Sequence, residues 1–192
     1  MKITSATFIK SATNKNNIIN DGLPQIAFIG RSNVGKSTLI NALTGNNKLV
    51  RSSSTAGRTQ NINFFLINKS FYFVDLPGYG YARVSLEARY KLFGYITEYL
   101  FKSNIEQNKV VLILDAKVGI TENDIIMFEE LKKNNKNIFV LINKIDKATQ
   151  SEKQNNLNKI KKVIGIDYPI FSFSSTKKVK LEELRDMLIE NI

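Results

Sequence analysis

The chain has 192 residues, 43% of them apolar and 23% charged, and carries a net charge of +11. That length fits one domain with a substantial core, and no apolar run approaches the ~20 residues a bilayer-crossing helix needs. With neither cysteine nor histidine in the chain, disulfides, thiolate metal sites and the commonest general base are excluded, so a bound metal should be a hard ion such as Mg²⁺ held by oxygens.

The opening MKITSATFIKSA has Lys2 but no apolar stretch behind it, so no signal peptide is expected, and a cysteine-free chain suits the cytoplasm. The positive charge has two readings: a polyanionic partner such as nucleic acid, or the general richness of the chain in Lys, Asn and Ile. Its mild clusters lie at Lys132, Lys133, Lys136 and at Lys159, Lys161, Lys162.

In chain order, alternating Ile3, Ala6 and Phe8 predict a first edge strand, and residues 13–22 a polar loop ending at Gly22. Gln25–Ile29 reads as a short apolar strand stopped by Gly30, with a helix over 36–44 ending at Gly45. Residues 46–61, rich in Ser and Thr, read as a long, mobile loop. Asn63–Ile67 and Phe71–Asp75 flank Asn68-Lys69-Ser70 and predict a hairpin. Leu86, Tyr90, Phe93, Ile96 and Leu100 recur at helical spacing over 86–102. Three strand-then-helix units follow: Val110–Leu114 with a helix from Thr121 to Lys133, Ile138–Ile142 with one near 150–163, and Pro169–Phe173 with one near 180–190. Thr121, with Asp124 three residues on, is the expected cap. Apolar strands alternating with helices mean an α/β fold, a mostly parallel sheet covered on both faces and made mixed by the hairpin. A single domain over 1–192 is expected, with no second domain.

Gly30-Arg31-Ser32-Asn33-Val34-Gly35-Lys36-Ser37 matches the phosphate-loop pattern between a strand and a helix. The glycines let successive N–H groups face one oxyanion, and the helix brings its positive end to the same phosphates. Lys36 is then expected on the β- and γ-phosphates and the Ser37 hydroxyl on Mg²⁺. In the polar loop, Thr59 can complete the Mg²⁺ shell when a γ-phosphate is present; the other reading is a solvated hydroxyl. Asp75-Leu76-Pro77-Gly78 closes an apolar run with an acid and a turn. Asp75 is expected to hold the ion through water and the Gly78 N–H to touch the γ-phosphate, so that its loss releases both segments.

Asn143-Lys144-Ile145-Asp146 ends the next strand. An Asp carboxylate there accepts from both N1–H and the exocyclic amine of guanine, whereas adenine would leave it unpaired, which selects GTP over ATP. Asn143 can serve neighbouring polar groups, the Lys144 stem can cover the base, and Phe173-Ser174-Ser175 can offer backbone N–H to the guanine O6.

With GRSNVGKS, TAGRTQNINFF, DLPGYGYARV, NKID and FSS in this order, essentially the whole chain resembles the bacterial EngB GTP-binding proteins. The resemblance implies a Ras-like fold, GTP and Mg²⁺ binding, a role in assembling the large ribosomal subunit, and a link to normal division and septation. It places Gly30–Ser37, Gly57, Arg58, Thr59, Gln60, Asn61, Asp75–Gly78, Asn143–Asp146 and Phe173–Ser175 on nucleotide, with Ser37 and Thr59 on Mg²⁺. Ala56 stands where the family usually has Pro, NKID replaces T-K-x-D, and neither Val179 nor Lys180 is the usual Gly.

Many Ras-like hydrolases follow D-x-x-G with a Gln that orients water; this chain has Tyr79. Tyr79 is read as packing against the sheet or a partner, so intrinsic hydrolysis should be slow and completed by a partner. No residue is assigned a certain catalytic role; Lys36 and Thr59 are expected to support the transition state and the ion. Asn33 has two readings, as a ligand helping to bind K⁺ or as a loop-stabilising side chain. The partners expected are GTP or GDP and the large ribosomal subunit with its RNA, with Arg31, Arg58 and Arg83 as candidate contacts. Monomer is the default. A non-hydrolysing GTP-binding protein at the septum and a small P-loop kinase are the alternatives.

Overall fold

The uninterrupted apolar runs become the middle of one seven-stranded sheet. The computed structural model describes residues 2–13, 17–50, 61–80, 85–190 and 192. Its strands are β1 (Ala6–Ala12), β2 (Gln25–Gly30), β3 (Ile62–Ile67), β4 (Phe71–Asp75), β5 (Lys109–Asp115), β6 (Ile138–Asn143) and β7 (Ile170–Ser172), in spatial order β1-β3-β4-β2-β5-β6-β7. Strands β4, β2, β5, β6 and β7 run parallel, while β3 pairs antiparallel with both β4 and β1. The helices are α1 (Lys36–Thr44), α2 (Leu86–Thr97), α3 (Glu122–Lys133), α4 (Gln150–Ile164) and α5 (Leu181–Ile189).

Successive side chains of a strand point to opposite faces, so each central strand feeds two cores. Ala27, Ile29, Leu112, Leu114, Val140 and Ile142 pack with Ile96, Phe128, Leu131 and Ile160 on one face. Ile26, Phe28, Val111, Ile113, Phe139 and Leu141 pack with Leu39, Leu43, Leu184 and Leu188 on the other. Burial on both faces is why β2, β4 and β6 are apolar without alternation. In the hairpin turn Asn68 and Lys69 both take left-handed φ, 49° and 56°, the geometry that matches strand twist.

The structure departs from the sequence reading in two places. The first strand is an edge strand, but it starts at Ala6 and its register shifts between Phe8 and Lys10. The bulge leaves Phe8 and Ile9 exposed, Phe8 lying against Phe65, while Ile3 and Ala6 pack against the core. In α2 only the later part of the stripe is core: Leu86, Tyr90 and Phe93 are exposed, Ile96 and Leu100 buried. Beyond Thr97 the helix widens into a π-helical turn over Glu98–Lys102, closed by Ser103 N–H donating to the Glu98 carbonyl at 2.8 Å. Among the described residues no helix is long and apolar enough to cross a membrane.

Register then positions the site. Pairings Phe28 with Asp75, Gly30 with Ile113, Asp115 with Asn143 and Ile142 with Ser172 bring five strand ends to one rim of the sheet. The chain leaves β2 for β3 on one side and leaves the neighbouring β4 for β5 on the other, and such a switch point is where open α/β sheets bind ligands.

Candidate functional site

At that rim Gly30–Ser37 links β2 to α1. Gly35 has φ 102°, and a Cβ there would strike Asn143 Nδ2, so both conformation and space require glycine. Asn33 also takes a left-handed φ of 62°, which Asn tolerates. Val34 is 2% exposed and pegs the loop into the core. No side chain caps α1 and its first turn has no acid, leaving its N–H groups and positive dipole end open to an anion.

Lys36 and Asp75 form the charged centre. Lys36 is 7% exposed and its Nζ lies 3.5 Å from the Gly30 carbonyl oxygen. Burial lowers its amine below the usual lysine range, with nearby Asp75 opposing. Asp75 is fully buried; burial pushes its carboxyl up to about 6 against the pull of Lys36 and Ser37. Its Oδ2 faces the Ser37 hydroxyl at 3.5 Å while Oδ1 has no partner. An unpartnered buried carboxylate oxygen beside a hydroxyl is the donor chemistry of a hard cation, so these residues fit Mg²⁺. Leu76, Pro77 and Gly78 are buried as the chain turns back over the loop, Leu76 N–H donating to the Phe28 carbonyl at 3.1 Å. A Cβ on Gly78 would lie 2.9 Å from Ser32 N and 3.0 Å from Lys36 Nζ.

Tyr79 is partly buried and packs, as expected, against the core on the α3 side of the sheet. Its hydroxyl donates to Asp124 Oδ1 on α3 at 2.8 Å, and burial, then Asp124, hold the phenol well above its usual range. Arg31 Nε lies 3.5 Å from Asp124 Oδ2. The Arg31 side chain, 25% exposed, is therefore drawn towards a buried acid.

The Asn143–Asp146 and Phe173–Ser175 segments meet at the ends of β6 and β7. Asn143 Nδ2 donates to the Val34 carbonyl at 3.0 Å, and its Oδ1 accepts from Ser175 Oγ at 2.9 Å and Ser175 N–H at 3.2 Å. Lys144 stands at φ 61° with Nζ donating to the Asn33 carbonyl at 2.6 Å and to Asp115 Oδ2 at 2.8 Å. Asp146 accepts from Ser174 Oγ at 2.6 Å and Thr176 Oγ1 at 3.2 Å, and the Ser174 bond foremost holds its carboxyl below the usual range. Ile145 N–H donates to the Phe173 carbonyl at 3.3 Å, tying the two motifs together.

Sequence reasoning missed three contributions. Asp115 ends the apolar β5 as Asp75 ends β4, a signal that was present, and it anchors Lys144. Burial opposes ionisation of Asp115, but Lys144 and the N–H groups of Lys117 and Val118 outweigh it and lower its carboxyl. The hydroxyls of Ser174 and Ser175 brace Asp146 and Asn143, where only backbone N–H groups were foreseen. Asp124, in sequence only the partner of the Thr121 cap, also holds Tyr79 and faces Arg31. Asn61 lies directly ahead of β3, whereas Gly57, Arg58, Thr59, Gln60 and Arg83 fall outside the described residues. Among those residues no group of three acids, histidines or cysteines could hold a metal.

Comparison with known proteins agrees with this geometry. The model of a family described as "50S ribosome-binding GTPase" matches residues 25–144, and that of the "Elongation factor Tu GTP binding domain" matches residues 102–192. A probable GTP-binding protein EngB of Clostridium kluyveri is 44% identical over 98% of this chain and 96% of its own. Another, of Clostridium perfringens strain SM101, is 42% identical over 100% and 98%. A crystal structure of a probable GTP-binding protein engB superposes with TM-score 0.72 at 24% identity, covering 86% of this chain and 97% of that one. Era in complex with MgGDPNP and nucleotides 1506-1542 of 16S ribosomal RNA superposes with TM-score 0.68 at 26% identity, covering 86% of this chain and 56% of that one.

Proposed function

The chain belongs to the EngB family of GTP-binding proteins, and we propose that it serves as a GTP-dependent switch in assembly of the large ribosomal subunit. The observation that carries this reading is the buried Lys36–Asp75 pair at the phosphate loop, with one carboxylate oxygen left unpartnered. Burying two charges is costly unless a ligand completes their surroundings, and a magnesium-bound triphosphate supplies both an anion for Lys36 and a cation for Asp75.

In this reading the N–H groups of Gly30–Ser37 and the Lys36 ammonium bind the phosphates, and Ser37 and Asp75 hold Mg²⁺, Asp75 through water, with Thr59 as the further ligand. Mg²⁺ neutralises phosphate charge when bound. The Asp146 carboxylate, fixed by Ser174 Oγ, accepts from the two guanine N–H donors, and Lys144 flanks the base. The residues Gly57–Asn61, Leu76–Gly78, Ile145 and Phe173–Ser175 complete the nucleotide site. Asn33, next to the phosphates, would help bind K⁺. GTP hydrolysis is the activity of this GTPase domain. With Tyr79 engaged on α3 and neither Gln nor His in the Asp75–Gly80 turn to orient water, unassisted turnover is expected near ~10⁻⁴ s⁻¹. The ribosomal particle then stimulates it.

The net charge of +11 supports an RNA partner, and the family description "50S ribosome-binding GTPase" favours the large subunit. A cytoplasmic monomer leaving the particle after hydrolysis fits this role, and septation would depend on it through ribosome supply. Co-sedimentation with large subunits at physiological salt tests the proposal. Pelleting with a non-hydrolysable GTP analogue but not with GDP is expected; no pelleting in either state would end the ribosomal reading.

A further inference from the structure

Asp124 is fully buried at the start of α3, and all its polar contacts lead elsewhere than bulk water. Its Oδ2 accepts from Thr121 N–H at 2.9 Å and Thr121 Oγ1 at 2.6 Å, the reciprocal cap of the helix. That cap needs only one oxygen. The other accepts from the Tyr79 hydroxyl at 2.8 Å, and Arg31 Nε approaches the carboxylate at 3.5 Å. Arg31 is the second residue of the phosphate loop and Tyr79 directly follows the Asp75–Gly78 turn. One buried acid thus joins the loop, the turn and α3.

The main chain of Tyr79 is fixed as well. Its carbonyl accepts from Ser32 N–H at 2.9 Å and its N–H reaches the Gly30 carbonyl at 3.4 Å, making a parallel bridge between residues 31 and 79. Tyr79 is therefore held at its backbone by the phosphate loop and at its hydroxyl by α3. The residue before it is Gly78, pressed so close to Ser32 N and Lys36 Nζ that a methyl group would lie 2.9 Å and 3.0 Å from them. Where Gly78 sits is thus set by Tyr79.

We propose that Tyr79, Asp124 and Arg31 form a latch that holds the Asp75–Gly80 turn closed over the phosphate loop, making Tyr79 and Asp124 positioning residues for recognition of the nucleotide's terminal phosphate. The inference rests on the reading of Gly30–Ser37 as a triphosphate site. On that reading a diphosphate lacks the phosphate that Gly78 would meet and should be indifferent to the latch. A triphosphate uses the Gly78 N–H, and without the latch binding must also order the turn.

The test titrates the full chain, with Mg²⁺, against a fluorescent GDP and a fluorescent non-hydrolysable GTP analogue. Tyr79→Phe removes one hydroxyl, and Asp124→Asn weakens the centre of the network. Each should weaken the analogue about threefold to tenfold, the worth of a hydrogen bond, and leave GDP within about twofold. Thr44→Ala, which removes a part-buried hydroxyl bond at the far end of α1 and touches no member of the network, should keep the wild-type ratio. Equal losses for both nucleotides, or no change in the ratio for Tyr79→Phe, overturn the latch. If Asp124→Asn melts too low to assay, Tyr79→Phe decides alone. A wild-type chain that bound neither nucleotide would instead bring down the triphosphate site itself, and the latch with it.

Discussion

Asp115 Oδ2 lies 2.8 Å from Lys144 Nζ, an ion pair that joins the adjacent ends of β5 and β6 and steadies a lysine also bonded to the phosphate loop. The pair is partly solvent-exposed, so its worth is modest. Asp115→Asn is expected to weaken GDP and GTP alike by about threefold to fivefold, roughly 1 kcal/mol. Equilibrium titration of both nucleotides checks this; unchanged affinity would mean Lys144 holds its place without help.

Gly35→Ala brings a methyl group into Asn143 Nδ2 at a backbone φ of 102°. Left-handed strain alone costs about 1–2 kcal/mol, and displacing Asn143 also breaks its bonds to Val34 and Ser175. A stability loss of about 2 kcal/mol or more is expected in urea unfolding, with nucleotide affinity falling more than tenfold. A variant that binds normally would show that Asn143 moves without consequence.

The buried carboxyl of Asp75, raised to about 6 by burial against Lys36 and Ser37, makes the nucleotide-free protein sensitive to mild acid. An acid whose folded pKa is raised favours folding fully below its unfolded value near 4, and that contribution is lost as pH rises through 6. In EDTA the wild type should therefore gain about 3 kcal/mol from this group as pH falls from 7 to 4, to order of magnitude. Asp115, Asp146 and Glu152 are held below the carboxylate range, so their contributions fade only below about pH 4. Asp75→Asn should flatten the slope between pH 4 and 6.5. Parallel curves for the two proteins would refute the assignment.

Asp146→Asn replaces an acceptor with a group that also donates. Guanine would lose the carboxylate facing its two N–H donors, whereas xanthine, carrying a carbonyl in place of the exocyclic amine, would gain a partner. The variant is expected to lose GTP by more than about a hundredfold and to prefer XTP, as unpaired buried polar groups dictate. Competition between the two nucleotides measures it; unaltered preference for GTP would remove Asp146 from base recognition.

Local signals carried most of the fold. Gly45 ends α1 and Thr121 caps α3 where the sequence puts them, because caps and apolar periods are properties of a few neighbouring residues. The rest depended on distance along the chain. Nothing near Asp124 announces Tyr79, and nothing near Asp115 announces Lys144, since those pairings arise only when the sheet aligns its strand ends. The spacing of Leu86, Tyr90, Phe93, Ile96 and Leu100 is that of an ordinary helix and cannot reveal that the first three lie outside the core. Nor does it betray the extra residue in the π-helical turn. In the site, the motif residues were legible as types at fixed spacing; the struts that orient them were not.

Strand order also has a consequence for how the chain is born. β2 carries the phosphate loop but lies between β4 and β5, so a growing chain offers that loop long before both its flanking strands exist. The wall built from Asn143, Asp146 and Ser174 arrives later still, on the order of ten seconds after the loop at ~5–20 residues per second. During that interval a nascent chain can have a half-framed cradle for phosphate and no means of telling one base from another. If those residues read the base as proposed, discrimination is completed late in translation, with only α5 still to come.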